Sequence, residues 1–255
     1  MTSTSIDRGR LMEELRARIG QVTRGQVSGK SSDSARPASL AFGWPPIDAA
    51  LPGNGLATGA LHEVTDTAAA LFIAGILARL TGSVLWVIER QDLFAPALAG
   101  VGLHTHRVIY AEADNSTAVL LAMEEGLRHA GLAGVVGEVS GRLTLTASRR
   151  LQLAAEASGV TTFALRRPYK TTASEPNAAV TRWRVAASPS DPPMPWAPGV
   201  PGLGRARWQI DLVRCRGGEP GSWIVEACDA TGRLGLVFDV PDRSIAPQSS
   251  SRVAR

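Results

Sequence analysis

The chain is 255 residues long and 44% apolar, enough to bury one large core carrying attached tails. A formal net charge of +4 is too small to define a nucleic-acid binder, and two cysteines, Cys215 and Cys228, with no charged leader before an apolar run, exclude a secreted disulfide scaffold and predict the cytoplasm. The longest apolar stretch, Ala68 to Ala78, falls well short of the roughly 20 residues that a membrane span needs, so it predicts a buried helix and no membrane contact.

In chain order, Leu11, Met12, Leu15 and Ile19 recur at helical spacing within Asp7 to Gly20 and predict an amphipathic helix. Residues 21 to 39 are rich in Ser, Gly, Thr and Arg and predict a flexible linker, so residues 1–37 are expected to be mobile. If that helix is free, Leu11, Leu15 and Ile19 form a stripe suited to a partner's groove.

From Leu40 to Leu165 short apolar runs alternate with longer amphipathic ones, the pattern of β/α units around a mostly parallel sheet. The expected strands are 59–64, 83–89, 107–111, 133–138 and 160–165, and the expected helices 67–80, 91–100, 116–130 and 147–158. Beyond Arg167, residues 168–179 and the proline-rich 188–204 are expected loops. The segments 181–187, 208–215, 222–228 and 233–238 alternate or are β-rich and predict an antiparallel extension of the sheet, so the core spans 38–241 and a disordered tail 242–255.

Gly25-Gln26-Val27-Ser28-Gly29-Lys30-Ser31 ends like a phosphate loop but has three residues between its glycines where four are needed. It also lacks a strand before it and a buried helix after it, so it is a decoy. The loop belongs after the first core strand, and there Leu61-His62-Glu63-Val64-Thr65-Asp66-Thr67-Ala68 contains neither glycine nor lysine. Asp66 is expected to cap the following helix and to repel a triphosphate.

The stretches Leu61-His62-Glu63-Val64, Val84-Leu85-Trp86-Val87, Ala122 to Arg128 and Thr146 to Glu156, and above all Leu212-Val213-Arg214-Cys215-Arg216-Gly217-Gly218-Glu219-Pro220-Gly221-Ser222-Trp223, resemble the ImuA family, RecA-like accessory factors of bacterial damage-induced mutagenesis related to the SulA group. The resemblance implies a RecA-like three-layer α/β core with a mostly parallel sheet, a C-terminal antiparallel extension and a degenerate phosphate-binding loop. It implies partners in error-prone lesion bypass: an ImuB-like polymerase homologue without catalytic carboxylates and an error-prone copy of the replicative polymerase subunit, with RecA and DNA as further candidates. In the wider fold a glutamate after the second core strand activates water, and an aspartate ending the next buried strand helps hold magnesium. Glu89 matches the first, whereas Gly137 stands at the second position, with Glu138 one residue later. Thr65, Asp66, Thr67, Glu89 and Glu138 are thus a vestigial nucleotide pocket, with no enzyme activity, cofactor or metal expected. The alternative function is a SulA-like inhibitor of the tubulin-like division protein.

Arg182, Trp183, Arg184, Arg205, Arg207, Trp208, Arg214 and Arg216 interleave arginine with tryptophan in the C-terminal strands. Such a group can stack bases or anchor a partner. Equally, the tryptophans can fill the core while arginines guard an edge. His104 and His106 lack a third ligand, and Glu124 and Glu125, adjacent on a helix, point apart on a solvated face.

Overall fold

The computed structural model describes residues 8–26, 38–166, 176–194, 197 and 199–235; the decoy's Val27 to Ser31 and the expected tail lie outside them. Helix α1 (Arg8–Gln26) leads to a short antiparallel pair, β1 (Ser39–Leu40) with β2 (Leu56–Ala57), which brackets helix α2 (Pro45–Ala49). The core then runs β3 (Leu61–Thr65), α3 (Ala69–Ala78), β4 (Ser83–Ile88), α4 (Ala95–Gly100), β5 (Val108–Glu112), α5 (Ser116–Gly126), β6 (Leu132–Val139), α6 (Leu145–Ser158) and β7 (Thr161–Arg166). It closes with β8 (Thr181–Ser188), β9 (Arg207–Cys215) and β10 (Gly221–Glu226).

The main sheet has the order β10-β9-β8-β3-β7-β6-β4-β5, parallel from β8 to β5, with β9 and β10 added antiparallel. Every residue of β4 and β6 is buried, as continuous apolar runs require when helices cover both faces. One face packs Phe72, Ile73 and Leu77 of α3 and Leu98 of α4 over Trp86, Phe163, Trp183 and Trp208. The other packs Val119 and Met123 of α5, Leu151 and Ala155 of α6, and Leu15 and Ile19 of α1. This is a three-layer α/β fold with a RecA-like core.

Local chemistry sets the boundaries. Asn115 and Thr144 accept from the backbone N–H of Ala118 and Ala147 and so start α5 and α6. Gly159, at φ 71°, ends α6. Arg107, just before β5, donates to the carbonyls of Ala78 at 2.9 Å and Gly82 at 3.0 Å, satisfying the end of α3. Of the fourth expected C-terminal strand, Gly235 forms a bridge to Glu226, and residues 236–238 lie outside the described set.

The expectation of mobility is corrected for residues 8–26. Helix α1 continues to Gln26 and is seated on the core, with Leu15 and Ile19 buried and Arg16 donating to Glu125 of α5 at 2.6 Å. The apolar stripe offered to a partner is thus used at Leu15 and Ile19 by the chain itself, because α5 and β5 leave an apolar surface that they cover; the side chain of Leu11 lies outside the described residues. Within the expected loop 168–179, Asn177 and Ala179 are buried and held, as shown below.

A buried hydrogen-bond chain crosses β3 and β8. Trp183 Nε1 donates to Thr181 Oγ1 at 2.7 Å, that hydroxyl donates to His62 Nδ1 at 2.7 Å, and His62 Nε2 donates to Ala57 O at 2.8 Å. The arrangement requires neutral imidazole, and burial, opposed by the Ala57 bond, lowers its pKa from 6.5 to about 4. Unfolded chains therefore bind one more proton at this position between about pH 6.5 and pH 4. Stability should fall with acidification through that window by about 3 kcal/mol, a loss complete below the folded pKa. Denaturant midpoints measured against pH for the wild type and His62→Gln check this. The wild type should lose the extra stability over that range, and parallel profiles would refute the assignment.

Candidate functional site

The C-terminal ends of β3, β6 and β7 surround a cavity of about 260 Å³ where a RecA-like protein would place its phosphate loop. Asp66, Thr67, Asp92, Glu138, Arg166 and the exposed Phe94 line it. Three acidic residues and one arginine thus border it.

The turn between β3 and α3 is closed by its own bonds. Asp66 sits at φ 87°, a left-handed conformation that Asp tolerates better than most residues. Its Oδ1 accepts from Thr67 N at 2.7 Å, and its carbonyl accepts from Ala69 N at 3.2 Å. Ala68 N donates to Val185 O at 2.9 Å, and Thr67 Oγ1 accepts from Ala187 N at 3.0 Å, tying the turn to β8. The expectation that Asp66 is the N-cap is corrected. Ala68 occupies that position, because the chain spends Asp66 on reversing direction two residues earlier, and no side chain caps α3. Thr65 ends β3, paired with Arg166 and Arg184.

Glu89 and Glu138 do not converge. Glu89 accepts from Ser116 Oγ at 3.0 Å and from Ser140 Oγ, and Gly141 N donates to Ser116 Oγ at 3.0 Å, a cluster joining the ends of β4, β6 and the start of α5. Glu138 turns to the opposite face, lines the cavity and accepts from Trp86 Nε1 at 3.0 Å. Gly137 faces α5, where a Cβ would overlap Met123 Sδ and lie 3.0 Å from Val119 Cγ1.

The interleaved arginines and tryptophans are separated by the pleat. Trp183 and Trp208 are buried in the α3-side core and cannot stack on a ligand, which corrects that half of the expectation. Their burial follows from strand alternation, which turns Arg182 and Arg184 to the other face, and the register shift of β8 against β9 between Arg182 and Trp183 brings Arg214 to that face as well. There Glu63 of β3, 9% exposed at its side chain, accepts from Arg182 Nε and Asn177 Nδ2 at 2.6 Å each, with Arg166 at 3.4 Å. Arg214 donates to Ala179 O at 2.6 Å and Asn177 O at 3.2 Å, and burial, followed by the charge of Arg182, lowers its pKa. Arg184 pairs with Asp211 at 2.6 Å, Arg205 with Glu226 at 3.0 Å, Arg207 with Asp191, and Arg216 donates to Ala178 O at 3.1 Å. Burial opposes the charge of Asp211, yet bonds from Ser222, Gln209 and Arg184 hold its pKa below the usual range.

The carboxylate hub at Glu63 escaped sequence reasoning. Its signal was a charge inside a strand otherwise read as buried, which demands a partner. Glu124 and Glu125 do point apart, but to helices in place of solvent, pairing with Arg150 of α6 and Arg16 of α1. His104 and His106 stack with centroids 5.7 Å apart, and burial pushes the Cys228 thiol up to about 12.

Fold and site define a RecA-like α/β protein with a glycine-free, lysine-free turn after its first core strand. No protein-family model matches the chain. Protein ImuA of Caulobacter vibrioides strain NA1000 / CB15N is 39% identical over 235 residues, covering 84% of this chain and 94% of that protein, as is Protein ImuA of strain ATCC 19089 / CIP 103742 / CB 15. The chain belongs to the ImuA family. Among the described residues no helix is long and apolar enough to cross a membrane.

Proposed function

We propose that the chain is a non-hydrolytic accessory of damage-induced mutagenic DNA synthesis that works in the cytoplasm by binding partners. One observation carries the reading: the turn after β3 takes up its own Thr67, Ala68 and Ala69 amides and sets Asp66 at a cavity shared with Asp92 and Glu138. A triphosphate needs free amides and a lysine there. The proposed partners are the ImuB-like polymerase homologue and the error-prone replicative-type polymerase subunit, with RecA and DNA as further ones. For DNA, the exposed guanidinium groups at Arg184, Arg205 and Arg216 are the proposed contacts, in a reduced form of the arginine surface.

A strain lacking the chain tests this through its mutation frequency after ultraviolet damage. The expected result is loss of induced mutations, restoration by the wild type, and co-purification of the polymerase homologue with it. Induced mutagenesis unchanged by the deletion would overturn the reading.

A further inference from the structure

Between β8 and β9 the chain leaves the sheet in an arm whose residues 192 to 204, Pro-Pro-Met-Pro-Trp-Ala-Pro-Gly-Val-Pro-Gly-Leu-Gly, include no charged side chain. Its base is fixed. Arg207 Nη1 donates to Asp191 Oδ1 at 2.7 Å as half of a two-bond pair, joining the first leg to the start of β9. The two legs run against each other. A Cβ at Gly204 would overlap the Asp191 carbonyl, and one at Gly202 would lie 2.8 Å from Pro193 Cγ, so glycine is required at both positions for the legs to close. Ala197 N donates to Met194 O at 2.9 Å and Val200 N to Ala197 O at 3.0 Å, ordering the outer turns.

Among the described residues of this arm, large apolar side chains face outward: Leu203 is 91% exposed, Val200 41% and Met194 40%. Exposing such groups gains nothing within the chain, while prolines that fix φ and the bonds that hold the legs together lower the entropy lost on docking. A proline-rich, uncharged segment with projecting aliphatic groups is complementary to an apolar groove lined by aromatic rings. It is not complementary to phosphates, which need cations.

We propose that this arm, through Pro193, Met194, Val200 and Leu203, is a docking peg for an aromatic-lined apolar groove on a partner protein. The proposal rests on the reading that the chain acts by binding partners. The test uses the full chain and the purified ImuB-like polymerase homologue, with affinity measured by calorimetry for the wild type, Val200→Ser/Leu203→Ser and Leu203→Met. The double variant should keep its melting temperature, since Leu203 makes little contact with the core, and should bind at least about tenfold more weakly. Leu203→Met should bind like the wild type, and the wild-type affinity should change little between roughly 50 and 200 mM salt, unlike phosphate binding. Equal binding by the wild type and the double variant would overturn the arm while leaving the functional reading in place. No binding by the wild type would overturn both. Wild-type self-association that the double variant abolishes would give the arm to a second copy of this chain and overturn the proposal.

Discussion

Arg182→Ala is expected to destabilise the fold by about 3–5 kcal/mol, a large part of the roughly 5–15 kcal/mol that holds an ordinary domain together. Arg182 and Glu63 are register partners on β8 and β3, and their 2.6 Å pair lies with side chains only 11% and 9% exposed. Removing the arginine leaves a carboxylate desolvated with Arg166 at 3.4 Å and an amide hydrogen bond from Asn177. Asn177 also accepts from Arg214, so the disturbance should spread to β9. Removing both charges together, as Glu63→Leu/Arg182→Met, should cost less than Arg182→Ala alone, because the buried carboxylate goes with its main partner and only the more exposed Arg166 loses an ion pair. Urea denaturation of Arg182→Ala, Glu63→Leu, Arg182→Met and the Glu63→Leu/Arg182→Met pair measures this, the last three forming the cycle. Additive losses would mean that the pair carries no coupling and that the arginine acts only by packing.

Gly137→Asp, which would restore the metal-binding carboxylate at its place in the wider fold, is expected to prevent folding instead of creating an active site. The position faces α5, where even a Cβ overlaps Met123 and crowds Val119. Overpacking of this kind costs about 1–3 kcal/mol, and a carboxylate with no partner in that apolar layer adds a penalty of several more. Insoluble expression or a collapsed melting temperature is the expected outcome, with partial rescue by Met123→Ala through relief of the overlap. A soluble Gly137→Asp protein with an unchanged melting temperature would show that β6 can turn this position toward the cavity.

What could be read from the sequence was the part fixed by periodicity. The continuous apolar run Val84 to Ile88 and the alternation in Thr181 to Ala187 each carry a burial pattern, and both form strands. Strand β8, however, joins β3 in parallel where 181–187 was expected in the antiparallel extension, because periodicity does not encode strand direction. Helix α1 was legible as an element but not as a docked one, because its two-residue seam depends on the surface that α5 and β5 leave open, which no local pattern encodes. The short elements β1, β2 and α2 were missed for a related reason, being too brief for any period to emerge.

The candidate site was legible as an absence, with no glycine or lysine after Val64, but not as a geometry. That Asp66 would take a left-handed turn and leave α3 uncapped follows from β8 lying alongside, where Val185 supplies the acceptor for Ala68. The arginines of β8 and β9 likewise fitted a partner surface and an edge guard equally well in the sequence, because their acceptors, Glu63, Asp211 and the carbonyls of Asn177 and Ala179, come from other segments.

The central claim, a RecA-like core that does not use nucleotide, is tested most directly by titrating the full chain with magnesium and ATP in a calorimeter and following phosphate release from the same samples. The account predicts no saturable heat and no phosphate above the buffer rate. Sub-millimolar affinity with turnover would contradict it, and loss of that affinity in Lys30→Ala would place a working phosphate loop at residues 25–31.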